Sequence, residues 1–333
     1  MTAHILAQLL DSSVLDAAAT ARFHAVMQRE ERNLSDMVRQ GVQTPLRWFH
    51  EVYPDFSADQ AAMLGYAAGK QARLTSYTPL SLPLVSAATI HDALRLLTFL
   101  PLISNSVSAR FVDRADDVAI VLTATSNDPV LDRFPVFYCA AALIRLLHLI
   151  SDEPLDLTIH IAWPRPAGFE HHSEFATDGL LFDAPLHHIV VPRSTLLAAC
   201  RFADPIAYQN ELRGLQARMV SLGIADDVGE RVRRLLDTQR SLISIEDAAQ
   251  MLHMSVSTLK RRLAETDTSF RDLRESMLKD HAILLLADVS LSLESISSAL
   301  GYSDLANFSH AFKRWTGIAP GVFRKYPFGQ PVQ

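Results

Sequence analysis

The chain is short of the residues that several protein classes require. Its only cysteines, Cys139 and Cys200, stand far apart. They build neither a disulfide framework nor a multi-cysteine zinc site, which points to a reducing compartment. Twelve glycines and 16 prolines in 333 residues are too few for a collagen-like or low-complexity architecture. The longest apolar runs, such as Tyr138 to Leu147 broken by Arg145, fall short of the roughly 20 residues of a membrane span. The opening MTAHILAQLLDSSVLD has no basic stretch before its apolar run, so no secretory signal is expected. No phosphate loop occurs, because Leu64-Gly-Tyr-Ala-Ala-Gly69 lacks the Lys-Ser/Thr ending. The Gly-x-Ser-x-Gly elbow of hydrolases is also missing. The expectation is a cytoplasmic protein that is not an enzyme, takes no cofactor and meets no membrane.

Basic excess is missing too: the net charge is −6, from 31 Lys+Arg against 37 Asp+Glu. The balance is uneven along the chain. Residues 1–220 hold 17 basic and 23 acidic side chains, whereas residues 221–333 hold 14 of each. A neutral region binds DNA when its basic residues share a face, so total charge does not decide the matter. Hydrophobic residues make up 49% and charged residues 20%. That is material for packed cores, and the length suggests two domains.

The first 220 residues read as an α+β domain. Helical character over the first 40 residues is followed by an amphipathic stretch, Pro45 to Ala72, with Leu46, Phe49, Val52, Tyr53 and Phe56 at helical spacing. Ile90 to Leu102 repeats the period. Val107–Val112 and Val118–Thr123 are β-branched, and the Asp-rich turn between them marks a hairpin. Phe134–Ile150 reads as a buried helix and Leu155–Trp163 as a half-buried strand. Shorter strands follow near Leu180–Phe182 and His188–Val191. Ala203–Leu222 is helical and polar, and Ser221-Leu-Gly223 is a linker candidate. Residues 221–333 carry no strand signal and form an all-α domain, with helices expected near 226–239, 244–251, 255–265, 269–287, 293–299, 304–316 and 320–326.

Two stretches of that domain share one design. In Ser244–Leu263, a short helix with Ala248 and Ala249 reaches a turn at Leu252–Met254, and Ser255 is placed to cap a second helix. There Leu259 and Leu263 face inward, and Ser257, Lys260 and Arg261 face outward. In Leu293–Trp315, Gly301 suits a left-handed turn. Phe308 and Phe312 face inward; Ala306, Asn307, His310 and Lys313 face outward. Each reads as a helix-turn-helix unit, whose second helix enters the major groove. The helix between them, Phe270 to Asp288, spans about 28 Å, close to the ~34 Å of one duplex turn. Basic residues cluster at Lys260-Arg261-Arg262, Lys313-Arg314 and Arg324-Lys325.

The runs SVSTLKRRLAETDTSFRDL and LADVSLSLESISSALGYSDLANFSHAFKRWTGIAPGVFR resemble the DNA-binding domain of AraC/XylS-type transcription regulators, over about residues 225–326. More loosely, Ala21 to Tyr208 resembles the arabinose-binding-type effector and dimerisation domain of the non-jelly-roll subgroup. The features are Leu64-Gly-Tyr66, the His91–Leu97 helix, the following hairpin, Trp163-Pro-Arg-Pro, and Phe175 with Leu180–Asp183. The resemblance implies a regulator, more often an activator, that binds promoter DNA as a homodimer. It also implies a small-molecule effector and contact with RNA polymerase. Ser257 and Arg261, with Thr258 and Lys260 nearby, fall where the family reads bases. Ala306, Asn307 and His310 hold the equivalent places in the second unit. Arg262, Lys313 and Arg314 are assigned to phosphates. The alternative is a DNA-binding regulator whose N-terminal domain only dimerises or binds a protein partner.

Some positions depart from that pattern. His253 stands where the family has glycine, so either the turn differs or the backbone tolerates strain on the order of 1 kcal/mol. Ser297 replaces a small alanine. His310 replaces a common arginine, which admits a pH-dependent contact. Leu278 and Leu284, often polar positions, read either as contacts between domains or subunits or as isolated surface leucines. His160, His171, His172, His187 and His188 with Glu174 contain the donor types of a metal site. Their spacing favours surface or loop histidines, and no metal is expected. Trp163, Phe137 and Tyr138 are either pocket-lining or core.

Overall fold

The computed structural model describes residues 1–126, 128–169, 179–224, 227–238 and 243–325. It divides into two compact units, Met1–Phe182 with His187–Met219, and Val220–Gln333 with Asp183–Leu186.

The first unit opens with α1 (Ala3–Leu10), α2 (Ala17–Arg29) and α3 (Leu34–Gln40). The amphipathic stretch after Pro45 is two helices, α4 (Trp48–Val52) and α5 (Ala58–Lys70). Pro54 forbids continuation past Tyr53, and Ser57 restarts the helix with a capping box to Gln60. Next come α6 (Ser81–Ser86) and α7 (Ile90–Arg95), the latter running into a 3-10 segment, Leu96–Leu102, which contains Pro101. Five strands follow the positions expected: β1 (Val107–Asp113), β2 (Asp117–Ala124), β3 (Thr158–His160), β4 (Leu180–Leu181) and β5 (His188–Pro192). They form one sheet in the order β1-β2-β5-β3-β4, antiparallel except for the parallel β3–β4 pair. The expected nine-residue strand shortens to three, Thr158–His160, paired with β5 on one side and β4 on the other; Leu155, Leu157 and Ile161 stay buried on either side of it.

At the centre lies α8 (Arg133–Ile150), packed against α5, β1 and β2. It is the one described helix long and apolar enough to cross a membrane, yet 61% of that window is buried inside the protein. Gly65 and Gly69 set how closely α5 approaches it. A β-carbon on Gly65 would lie 2.4 Å from the Phe134 carbonyl oxygen, and one on Gly69 2.6 Å from that of Tyr138. The glycine pair, on a helix and without a phosphate-loop ending, is a helix-crossing device. The unit closes with α9 (Arg193–Leu196) and α10 (Pro205–Ser221).

The second unit is all helical: α11 (Val228–Thr238), α12 (Ile245–Met251), α13 (Val256–Ala264), α14 (Phe270–Ala287), α15 (Leu293–Ala299), α16 (Leu305–Thr316) and α17 (Pro320–Lys325). Phe270, Leu273 and Met277 on α14 close a core with Val232, Leu259 and Leu263. The same helix packs against α15, α16 and α17. Apolar side chains are thus needed on more than one face of it, and Leu278 and Leu284 are 4% and 1% exposed. They are core residues of the chain itself, which corrects both sequence readings of them.

Candidate DNA-reading faces and the N-terminal pocket

Each helix-turn-helix is built by capping and a left-handed turn. In the first, Ser244 caps α12 through a reciprocal box with Asp247. Ala249 accepts the Met254 N–H at 2.9 Å, and Gln250 accepts that of His253 at 3.0 Å. Ser255 then caps α13, its hydroxyl accepting from the Thr258 N–H at 3.1 Å. In the second, Ser297 accepts the Tyr302 N–H and Ser298 that of Gly301, both at 3.0 Å, before Asp304 caps α16. Both turns pass through the left-handed region, at φ 56° for His253 and 78° for Gly301. The turn is kept, and His253 carries the strain that glycine would avoid. Ser297 also has a reason. Buried to 2% exposure, its hydroxyl donates to the Asp304 carbonyl at 2.9 Å, tying the bracing helix to the start of the reading helix.

The outward faces follow. Ser257, Lys260, Arg261 and Arg262 are exposed on α13. Thr258 is half-buried, with its hydroxyl 2.9 Å from that of Ser255. Arg261 pairs with Glu265 at 2.8 Å. On α16, Ala306, Asn307, His310, Lys313 and Arg314 are exposed. The Asn307 amide donates to Ser303 at 3.0 Å and to Asp304 at 2.7 Å. Hydrogen bonds from the Asn307 N–H and from Ser303 hold the Asp304 carboxyl below its usual range. Arg314 reaches α14, where Glu275 accepts from it at 2.7 Å and from Arg271 at 3.0 Å. Exposed ion pairs of this kind contribute about 0–1 kcal/mol, so neither pair holds its arginine strongly. The sequence pattern did not single out Glu275, Arg271 or Arg274. A cleft of about 910 Å³ places Arg271 and Arg274 of α14 opposite Asn307 and His310 of α16.

Two family profiles match this chain. A helix-turn-helix domain covers residues 248–326, and the arabinose-binding domain found at the N-terminus of AraC transcription regulators covers residues 57–199. The chain belongs to the AraC family. Among similar proteins is an ornithine utilization regulator of Pseudomonas aeruginosa, 28% identical over 79% of each chain. The regulator VqsM of the same organism is 25% identical over 78% of this chain and 83% of its own. The crystal structure of the regulator CdpR from P. aeruginosa aligns with 87% of this chain and 96% of its own, at 22% identity and a TM-score of 0.41. This AraC-family chain is a DNA-binding transcription regulator.

The N-terminal unit of the regulator holds an apolar pocket of about 100 Å³. Its walls come from α6, α7, the Leu96–Leu102 segment and α8. Tyr138 lines it, as one sequence reading allowed, and meets Tyr77 hydroxyl to hydroxyl at 2.7 Å. Phe137 does not line it. That ring is fully buried and stacks on Trp163 and Phe182, so Phe137 is core. The Arg133 guanidinium covers the Trp163 ring at 4.4 Å.

The described histidines take separate partners. His160 and His188 stack at 4.2 Å. His187 instead packs on Trp163 and accepts the Ala162 N–H at 3.0 Å, while burial, with a smaller push from Arg133, lowers its pKa to about 4. No cluster of three metal-binding side chains occurs among the described residues; His171, His172 and Glu174 lie outside them.

Proposed function

We propose that this regulator activates transcription as an effector-responsive homodimer, each subunit reading two successive major grooves of promoter DNA. One observation carries the reading: two capped reading helices with polar outer faces are joined by an 18-residue helix, about 27 Å long. That length suits adjacent grooves on one side of a duplex. Arg261 is suited to a bidentate guanine contact, Asn307 to adenine, and Ala306 to a thymine methyl. Ser257, Lys260 and His310 complete the reading faces, and Thr258 joins them by giving up its contact with Ser255. Arg262, Lys313 and Arg314 take phosphates, with Arg271 and Arg274 extending that set along the cleft. The domains divide near residue 220, and the protein works in the cytoplasm, where promoter DNA and RNA polymerase are.

An effector bound in the N-terminal unit shifts the dimer between states of unequal DNA affinity, which requires that it bind one state better than the other. The test is binding of the full-length protein to its own promoter region at two salt concentrations, followed by transcription with purified RNA polymerase. Affinity falling by orders of magnitude between 50 and 200 mM salt is expected for about six to ten phosphate contacts, together with increased transcript. Binding without sequence preference, or transcript loss on binding, contradicts the reading or its activator part respectively.

A further inference from the structure

We propose that Asp304, the cap of the second reading helix, restricts Asn307 to one kind of base contact, a hydrogen bond accepted from the exocyclic amine of adenine or cytosine. This rests on the two-groove reading above and specifies what one of its residues recognises.

The first turn of a recognition helix is the part that reaches base edges, and Asn307 is exposed in the first turn of α16. Its backbone N–H donates to Asp304 Oδ1 at 2.7 Å, so cap and reading residue are fixed together.

The hydrogens of the Asn307 amide can be counted. Its Nδ2 lies 2.7 Å from Asp304 Oδ2 and 3.0 Å from Ser303 Oγ. The Ser303 hydroxyl gives its proton to Asp304 Oδ2 at 3.0 Å, so towards Asn307 it only accepts. An ionised carboxylate also only accepts, and hydrogen bonds from the Asn307 N–H and from Ser303 keep the Asp304 carboxyl below its usual range. Both contacts therefore require the amide nitrogen, and both amide hydrogens are used. What the side chain has left for a base is its carbonyl oxygen, an acceptor.

In the major groove adenine offers a donor at N6 beside an acceptor at N7, and cytosine a donor at N4; guanine and thymine present only acceptors there. A two-point adenine contact needs an asparagine N–H at N7. Moving that N–H from the carboxylate to a neutral ring nitrogen exchanges a charge-assisted bond for one roughly half as strong. Turning the amide over would set its oxygen against the carboxylate. Asn307 thus recognises the amine alone: adenine has no advantage from N7, and cytosine is taken nearly as well.

Binding of the full-length protein is measured on duplexes of its promoter region. Asn307→Ala first locates the base position at which preference relaxes. Each of the four bases is then placed there, together with 7-deazaadenine, which lacks the N7 acceptor. With wild-type protein, adenine and cytosine should bind within about threefold of each other and about fivefold tighter than guanine or thymine, the scale of one neutral hydrogen bond. 7-Deazaadenine should match adenine within about twofold. Asp304→Ser keeps a good helix cap, the kind that Ser255 supplies to α13, and frees the amide. In that variant adenine should exceed cytosine by about fivefold, and 7-deazaadenine should lose this gain. The deleted negative charge strengthens all sequences alike, so the ratio between bases is the readout. The inference is overturned if 7-deazaadenine binds wild-type protein about fivefold more weakly than adenine, or if guanine or thymine is the preferred base. It is also overturned if Asp304→Ser changes affinity without changing the ratio, the result of a capping role alone. The wild-type measurements decide the matter if the variant does not fold. These outcomes leave the reading role of Asn307 standing, whereas relaxation at no position in Asn307→Ala would remove that role and the inference with it.

Discussion

The two helix-turn-helix units have the same backbone and different chemistry. Both brace a reading helix with a short helix that ends in a left-handed residue, His253 in one and Gly301 in the other. The first reading helix starts from a neutral cap, Ser255, and carries Lys260, Arg261 and Arg262 on exposed positions. The second starts from a carboxylate, Asp304, which also holds the Asn307 amide. Its arginine, Arg314, is tied back to Glu275 on α14. The first outer face thus carries three adjacent basic side chains, and the second sets an amide against a carboxylate cap.

The strongest way to break the comparison is through the two cores. Phe308→Ala removes a fully buried ring and should cost about 3–5 kcal/mol; Leu259→Ala in the first unit should cost about 2–5 kcal/mol. Thermal and urea unfolding of each variant checks both. Equal stability to wild type in either case would mean that the unit's core is not formed as described.

Smaller effects should separate the two faces in DNA binding. Arg261→Ala and Asn307→Ala should each cost about 1–3 kcal/mol and relax preference at one base position, Arg261→Ala also lowering the salt dependence if its charge serves phosphate as well as base. Lys313→Ala should weaken all sequences alike and reduce the salt slope by about 1. Affinity arrays across salt concentrations separate these patterns. A uniform loss for Asn307→Ala would remove the second unit's reading role.

The turns differ by the least. Ser297→Ala deletes the hydroxyl contact to the Asp304 carbonyl and should destabilise by about 1 kcal/mol. His253→Gly should stabilise or be neutral, because relief of about 1–2 kcal/mol of left-handed strain is offset by glycine's added freedom in the unfolded chain. The reverse change, Gly301→His, should destabilise. Destabilisation by His253→Gly, or stabilisation by Gly301→His, would show that the turns do not share one conformation.

The legible parts of this molecule are those where local pattern decides structure. The seven C-terminal helices lie near where apolar spacing puts them, and five of them start at a side chain, Ser244, Ser255, Ser269, Ser292 or Asp304, that accepts a backbone N–H. All five strands were visible from β-branching and turns. Long-range events were not. The burial of Leu278 and Leu284 depends on α14 meeting partners from both sides of the sequence. Gly65 and Gly69 serve a helix crossing that no window around them reveals. The pocket joins Tyr77 to Tyr138, 61 positions apart, and the ion pair of Glu275 with Arg314 spans 39. For DNA contacts, outward-facing residues were readable from helical spacing alone; which of them are held by neighbours was not.

Hydroxyl-radical footprinting of the full-length protein on its promoter, run beside the Arg261→Ala and Asn307→Ala variants, tests the central claim most directly. The account predicts two protected grooves per subunit about 10 base pairs apart on one face of the duplex, with each substitution weakening a different one. Protection of one groove only, or loss of the same groove with both substitutions, would contradict it.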